Sequence, residues 1–204
     1  MPSLPDPSLD PHGPPALQAR AIDELRYIRR TMEEAASFTT VSGTAQVAIG
    51  LTALLAAWIA SRQTSDLAWN AVWMTEAVIA VSLSAWGMVR KSRAMGLPAF
   101  AGPARRFAVT FALPLLAGAL LTVALERAGR HEAVPGTWLL LFGTAVACGG
   151  AFSVRIVPLL GFAFMALGAV SLFSPPTWGN AYMAAGFGGL LIAFGLVVAR
   201  KYGG

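Results

Sequence analysis

The sequence predicts an all-α integral membrane bundle of six transmembrane helices, preceded by an N-terminal amphipathic cytoplasmic helix. Of the 204 residues, 56% are apolar and only 12% are charged, whereas soluble domains carry about 25% charged residues. Between Gly43 and Ala199 the charged residues fall in short clusters separated by apolar runs. These runs are roughly 18 to 20 residues long, enough to cross about 30 Å of hydrocarbon at about 1.5 Å per residue. Because a membrane domain of this size takes up almost the whole length, we expect no soluble catalytic domain beside it.

The first 40 residues divide into two segments. Residues 1–15 contain six of the thirteen prolines, and this composition predicts a disordered lead-in because it cannot bury a core. Residues 16–40 are predicted to form the amphipathic cytoplasmic helix. The first 30 residues contain no apolar stretch typical of a cleavable signal peptide, so we expect the first span to target the chain to the membrane.

The predicted amphipathic helix carries an apolar seam at alternating steps of four and three residues, the spacing found in helices that pair with other helices. The seam consists of Ala21, Leu25, Ile28, Met32 and Ala35. From Arg20 to Glu34, four arginines are balanced by four acidic residues, whereas a helix on a lipid surface usually carries a basic excess. Two interpretations are equally favoured by this pattern: the helix pairs with a partner helix, or it folds back onto its own bundle.

Six apolar runs predict the spans of the membrane domain, residues 41–204. We expect the spans at residues 43–60, 69–89, 107–125, 137–154, 156–173 and 180–199. The fourth and fifth spans are separated only by Arg155, so a single long helix is the alternative there. Gly149, Gly150 and Pro158 all weaken a continuous helix, and we therefore predict a tight turn at residues 153–155.

The positive charges predict the orientation of the bundle. If the N-terminus is cytoplasmic, the outer loops hold Arg62, Arg127 and Arg130, and the other twelve of the fifteen arginines and lysines lie on the cytoplasmic side. Most tryptophans fall near the outer interface, where amphipathic rings settle. Both signals predict that the two termini are cytoplasmic. Thirteen arginines against two lysines, with many alanines and glycines, are typical of a GC-rich bacterial genome, so we expect the bacterial inner (cytoplasmic) membrane.

A weak internal repeat predicts three tandem helical hairpins. Residues 114–117 in the third span resemble residues 158–161 in the fifth, and more loosely residues 47–50 in the first. Each motif precedes the arginine that closes the following span by a similar number of residues. Coincidence among similar apolar spans is the alternative, and the repeat by itself implies no function.

Residues 24–32 lead into a Gly-rich first span, and the chain ends with residues 186–189 followed by the basic terminus 199–204. In both stretches the sequence resembles a family of uncharacterised small bacterial polytopic membrane proteins with six spans, and the likeness covers most of the chain. The resemblance implies a membrane bundle of this kind. It implies no activity or cofactor, because the stretches that carry it contain no catalytic motif.

Glu76 is the only carboxylate well inside a predicted span. Insertion scales give a cost of about 2.5 to 3.5 kcal/mol for a central Asp, Lys or Arg, and such groups indicate function by default. A glutamate here could relay protons, bind a cation or pair with a basic group, and it shares one apolar helical stripe with Trp69, Trp73, Ala80 and Leu83. The alternatives are a side chain that reaches the outer interface and a packing hydrogen bond to a Ser or Thr of a neighbouring span.

Gly186, Gly188 and Gly189 lie together in the sixth predicted span. Small residues let helices pack closely, and a packing role is therefore favoured. Glycines also mark broken helices that line a substrate path, which is the alternative.

Cofactor and metal sites are not expected. The predicted outer segments contain Asp66, Glu126, His131 and Glu132, but the spacing of these residues is not that of metal ligands. A single cysteine, Cys148, allows no intrachain disulfide, and neither of the two histidines lies in a span where it would hold haem.

The sequence favours a non-enzymatic membrane subunit or adaptor that pairs through its N-terminal helix. Its expected partners are the lipid bilayer and either another protein or a second copy of the chain, contacted through Leu25, Ile28 and Met32. Nucleic acid is not expected, because the basic residues lie at the ends of spans. The alternative is a small-solute or ion transporter that uses Glu76. An enzyme is least favoured, since the spans contain no paired carboxylates, histidine or nucleophile–base set.

Overall fold

The computed structural model describes residues 22–27, 42–94, 103–150, 154 and 156–202, and all the regular structure in these ranges is helical. The main helices are α1 (Gly43–Ala60), α2 (Asp66–Ala94), α3 (Pro103–Arg127), α4 (Val134–Gly149), α5 (Ile156–Leu172), α6 (Gly179–Met183) and α7 (Leu191–Tyr202). Short 3₁₀ turns, His131–Ala133 and Pro176–Trp178, precede α4 and α6, and a π-helical turn, Ala184–Leu190, joins α6 to α7.

The chain divides into two compact units, residues 1–38 and residues 39–204. In the first unit, residues 22–27 are helical, and the amphipathic helix over residues 16–40 stays a prediction. The predicted lead-in, residues 1–15, and the remainder of the predicted helix lie outside the described residues.

Five helical segments of the second unit are long and apolar enough to cross a membrane. They are Gly43–Ala60, Asp66–Arg90, Ala108–Arg127, His131–Gly149 and Pro176–Lys201. A further apolar helix, Ile156–Leu172, has 17 residues, one fewer than the shortest of the five. These helices confirm the prediction of an all-α bundle, and their length and apolar composition are those of a membrane-embedded protein.

The fourth and fifth predicted spans are separate helices, so the alternative of one continuous helix is wrong. The first of them, α4, ends at Gly149 and the second, α5, begins at Ile156; of the predicted turn between them, only Val154 is described. The two backbones are in direct contact, because a Cβ atom on Gly161 would lie 2.6 Å from the Ala147 nitrogen. Gly143 faces Gly161 and Gly136 faces Gly168, a reversed order that makes the pair an antiparallel hairpin.

The first and last spans meet in the same manner. A Cβ atom on Gly43 would lie 2.5 Å from the Ala199 nitrogen, and one on Gly50 would lie 2.9 Å from the Gly188 carbonyl oxygen. Glycine removes the side chain that would otherwise hold the two backbones apart, so dispersion contacts join the helices closely. The contact between the fourth and fifth spans and the contact between the first and last spans each join two different predicted hairpins. Neither contact lies within a predicted hairpin.

The remaining two helices, α2 and α3, border a cavity in the bundle. Helix α2 packs mainly on α1, and α3 packs mainly on α4. Residues of both α2 and α3 line one central cavity. The buried core beside it includes the fully buried side chains of Leu139 and Phe164.

Candidate functional site

A cavity of about 580 Å³ lies inside the bundle. Its volume is within the range of about 300 to 1,000 Å³ that is typical of small-molecule sites. All the candidate spans and α5 contribute to its wall, which is predominantly apolar. The aromatic residues of the wall are Trp69, Trp73, Phe111, Trp138, Phe142, Phe187 and Phe194.

Glu76 is buried, with 6% of its surface exposed, and its side chain lines this cavity. Trp69, Trp73 and Ala80 line it as well, and Leu83 packs against the buried core, so the stripe expected from helical periodicity faces the interior of the bundle. The Thr52 hydroxyl of α1 donates a hydrogen bond of 2.8 Å to Glu76 Oε1. This bond is the contact to a neighbouring span that the packing alternative required.

One oxygen of the Glu76 carboxylate remains available to the cavity. Among the described residues, Thr52 is the hydrogen-bond partner of the carboxylate, and the bond is to Oε1. No buried side-chain nitrogen or oxygen of the described residues lacks a partner. The second oxygen is therefore not sealed in the core but reaches the cavity that Glu76 lines. The packing bond and a binding role are thus compatible.

Thr52 supports both charge states of Glu76. Its hydroxyl also lies 2.9 Å from the Ile49 carbonyl oxygen, and its single proton is donated to one acceptor at a time. When Glu76 is ionised, Thr52 donates to the carboxylate. When Glu76 is protonated, its hydroxyl donates to Thr52 and Thr52 donates to Ile49. The geometry therefore permits the contact between Thr52 and Glu76 in either charge state.

Asn180 of α6 fixes the orientation of two tryptophans in the wall. Its Oδ1 accepts from Trp69 Nε1 at 3.2 Å and from Trp73 Nε1 at 3.4 Å. Its Nδ2 donates to the Ala57 carbonyl oxygen of α1 at 2.8 Å. Both indole N–H groups are thereby engaged, so the tryptophans offer the cavity their ring carbons and not their donors.

The phenylalanines continue the aromatic wall. The ring centroids of Trp73 and Phe187 are 6.1 Å apart, those of Phe187 and Phe142 are 4.9 Å apart, and those of Phe142 and Phe111 are 5.6 Å apart. Their tilted and edge-to-face arrangements are the favourable ones for aromatic pairs. The rings form one connected surface from α2 through the π-helical turn to α4 and α3.

The first turn of α2 is tied to the last turn of α3. Asn70 Nδ2 donates to Glu126 Oε1 at 2.8 Å, and His131 Nδ1 lies 2.7 Å from the same oxygen. His131 Nε2 lies 3.5 Å from Asp66 Oδ1. One possible ligand atom each from Asp66, Glu126 and His131 falls within 4.8 Å of the others, while Glu132 instead faces Arg130 at 3.6 Å. Each imidazole nitrogen thus faces a carboxylate oxygen, which joins the three side chains in one cluster.

Toward the other end of α2, the cavity opens sideways. Val81, Ser84 and Ala85 of α2 line the cavity and are exposed, as are Ala108 and Ala112 at the beginning of α3. The two helices are thus joined by a hydrogen bond near Asn70, whereas along this stretch both present exposed residues to the cavity. The opening leads to the surroundings of the bundle, which are lipid if these helices span a membrane.

The three glycines of the last span have different environments. A Cβ atom on Gly186 would collide with Leu139, and one on Gly188 would collide with Leu54, as the packing role requires. A Cβ atom on Gly189 would meet nothing within 4 Å. The π-helical turn Ala184–Leu190 contains all three and brings Phe187 to the cavity, and such turns occur frequently at functional sites. The helix is therefore widened here and not broken.

Of the three seam residues predicted to bind a partner, Leu25 lies within the described residues and is exposed. Ile28 and Met32 lie outside the described residues. Sequence reasoning did not identify Thr52, Asn70 and Asn180, which hold Glu76, Glu126 and the tryptophans. Each of these three residues places a polar amide or hydroxyl group inside a predicted apolar span, and this is the sequence feature that could have identified them.

No protein-family model, curated protein or solved structure matches this chain. The resemblance to uncharacterised small bacterial membrane proteins therefore stays a prediction.

Proposed function

We propose that this chain is a membrane-embedded binding protein or transporter for a small solute, and that Glu76 belongs to its binding site. The observation that carries the proposal is a single carboxylate on the wall of an apolar cavity of about 580 Å³. An ionisable side chain inside an apolar bundle is costly unless it has a partner. Thr52 partners one carboxylate oxygen, and a bound solute or proton would partner the other.

The proposal includes six spans with both termini in the cytoplasm of a bacterial inner membrane. Ile156–Leu172 would be the additional span, since 17 residues rise about 26 Å and transmembrane helices begin at about 17 residues. The distribution of arginines and lysines supports the orientation.

A non-enzymatic role is part of the proposal. Glu76 is accompanied on the described cavity wall by no histidine, cysteine, lysine, arginine or second carboxylate. Nucleophilic catalysis generally requires a nucleophile and an activating base within hydrogen-bond reach of each other, and a paired general acid and base require two titratable groups. The wall therefore supports binding and release better than bond breaking.

The Glu76→Gln variant tests this function. Gln keeps the shape and the contact to Thr52 but cannot exchange a proton, so solute-dependent proton flux should fall at least tenfold. The measurement is the internal pH of proteoliposomes, read with an entrapped dye while a panel of small amines, carboxylates and sugars is added outside. The matched control is Glu132→Gln, which alters a loop glutamate facing Arg130 and should leave the flux unchanged. Equal flux in the wild type and Glu76→Gln would contradict a role for Glu76.

A second candidate function, a membrane subunit or adaptor, is supported by the helix at residues 22–27. Leu25 is 65% exposed and Ile22 is 44% exposed on this helix. Apolar side chains at such positions favour burial against another helix. Under this proposal the seam residues Leu25, Ile28 and Met32 contact a partner protein or a second copy of the chain.

Replacement of Leu25 by Asp tests the adaptor function. A charge on the seam should dissociate the complex, whereas Tyr27→Asp, off the seam, should leave it intact. The measurement is the mass of the complex purified in mild detergent, obtained by light scattering together with identification of the proteins that co-purify. Unchanged mass and composition in Leu25→Asp would count against pairing through this helix.

A further inference from the structure

The charge on the cavity wall is one-sided. Glu76 is the only residue on the described wall that carries a charge. An ionised carboxylate in surroundings of low dielectric constant is stabilised by an opposite charge brought next to it. A neutral or anionic solute would leave this charge without a counter-ion. The wall therefore selects a ligand with one positive charge, with the proton as its competitor.

The wall also distinguishes between kinds of cation. Hard metal ions take about six to eight oxygen ligands in the case of calcium, or hold most of their water in the case of magnesium. Besides the free oxygen of Glu76, the side-chain oxygens of the described wall are those of the neutral residues Ser42, Gln46, Asn70 and Ser84, which lie among mostly apolar side chains. They come from the beginning of α1 and from positions far apart along α2. A small metal ion would be poorly coordinated here. An organic cation requires no such oxygen shell.

The aromatic surface favours the same ligand class. Trp73 lies three residues before Glu76 on the same helical face, and its ring centroid is 6.1 Å from that of Phe187. Because Asn180 engages both indole N–H groups, the tryptophans present ring carbons to the cavity. Aromatic faces attract organic cations and also bury their apolar substituents.

The opening between α2 and α3 suits a ligand that partitions into lipid. Its rim includes the exposed residues Val81, Ser84 and Ala112, while the bond between Asn70 and Glu126 joins the same two helices at the other end. A solute with apolar substituents concentrates in the membrane and meets this opening there. A strongly hydrated solute does not.

We infer that the ligand of this cavity is a hydrophobic monovalent cation, that is, a protonated amine or a quaternary onium ion with aromatic or alkyl substituents. It pairs its charge with Glu76, lies against Trp73 and Phe187, and enters from the lipid between α2 and α3. This inference rests on the proposed function and specifies its substrate class.

The test compares two ions of the same shape and opposite charge, tetraphenylphosphonium and tetraphenylborate. The full-length protein in detergent is titrated with each ion, and tryptophan fluorescence reports binding because Trp69, Trp73 and Trp138 line the cavity. Wild type should bind the phosphonium saturably and at least tenfold more tightly than the borate. Glu76→Gln should bind the phosphonium at least tenfold more weakly than wild type, while Glu132→Gln should match wild type.

A steric variant separates this inference from the proposed function. Ala112→Trp fills the opening at an exposed position, where folding tolerates a larger side chain, and it should weaken phosphonium binding.

If wild type binds both ions alike, or Glu76→Gln binds the phosphonium as wild type does, the cation inference is overturned. In that case loss of both ions in Ala112→Trp would leave the cavity as a solute site. If wild type binds neither ion, the cation inference also fails, and the proposed function then stands or falls on the Glu76-dependent flux.

Discussion

Lowering the pH by two units should weaken the binding of tetraphenylphosphonium to the wild-type protein by up to about a hundredfold. The cation binds the ionised carboxylate of Glu76, so a proton on that carboxylate must leave before the cation binds. Each cation then displaces one proton, and the affinity changes at most tenfold per pH unit. The sign follows directly: affinity rises with pH wherever the free carboxyl is protonated, and it becomes constant once the carboxyl is ionised.

This pH dependence is assigned to Glu76 because no other described residue of the cavity wall titrates. From α1 the carboxylate faces Thr52, which is neutral. A separate ionisable cluster contains Asp66, Glu126 and His131, and Asn70 of the cavity wall donates a hydrogen bond to its Glu126. Titrations at several pH values should show the slope in wild type and in His131→Gln, and no slope in Glu76→Gln. A slope that survives in Glu76→Gln and vanishes in His131→Gln would assign the competing proton to the cluster.

The helices were predictable to the extent that local rules determine them. The structure confirms the predicted bounds of α1. These bounds were predictable because a capping serine, Ser42, precedes the apolar run and Ser61 follows it. Helix α2 extends beyond the predicted span at both ends, from Asp66 to Ala94. Hydropathy detects the membrane-crossing part of a helix, whereas backbone hydrogen bonds continue through polar residues. Asp66 in the first turn is also favoured there by the helix dipole.

The candidate site was predictable only in part. The inward direction of Glu76 follows from helical periodicity, which places it on one face with Trp69 and Trp73. Its hydrogen bond to Thr52 joins residues 24 positions apart, and the bond from Asn180 to Ala57 joins residues 123 positions apart. Contacts of this kind depend on which spans are neighbours, and a single sequence does not specify that.

The outer acidic residues illustrate the same limit. Spacing along the chain gave no reason to bring Asp66, Glu126 and His131 together. They meet because α2 begins beside the end of α3. The 3₁₀ turn His131–Ala133 comes shortly after α3, separated from it by a two-residue turn and Arg130. Glu132, in the same turn, faces away toward Arg130. Three-dimensional proximity here results from helix ends and loop geometry, neither of which hydropathy reports.

Replacement of Asn180 by Leu should destabilise the bundle by about 1 to 3 kcal/mol, which corresponds to roughly 5- to 150-fold in the folding equilibrium. The variant removes the acceptor of two indole N–H groups, which lie at 3.2 and 3.4 Å from it. The Ala57 carbonyl oxygen loses the amide donor but keeps the Ser61 N–H at 2.9 Å, so the cost comes mainly from the tryptophans. The measurement is the midpoint of thermal unfolding in detergent, with Gln63→Leu, an amide-to-leucine change at an exposed position, as the control.

The same substitution connects the stability of the bundle to the binding of the ligand. Without Asn180 the rings of Trp69 and Trp73 lose their common anchor, and their N–H groups turn toward whatever acceptor is nearest, including Glu76. Phosphonium binding should therefore weaken together with stability. In a background carrying Trp69→Phe and Trp73→Phe, the donors are already absent, so Asn180→Leu should cost much less. An equal cost in both backgrounds would show that Asn180 acts through Ala57 alone, and the aromatic wall would then owe its orientation to ring packing and not to this amide.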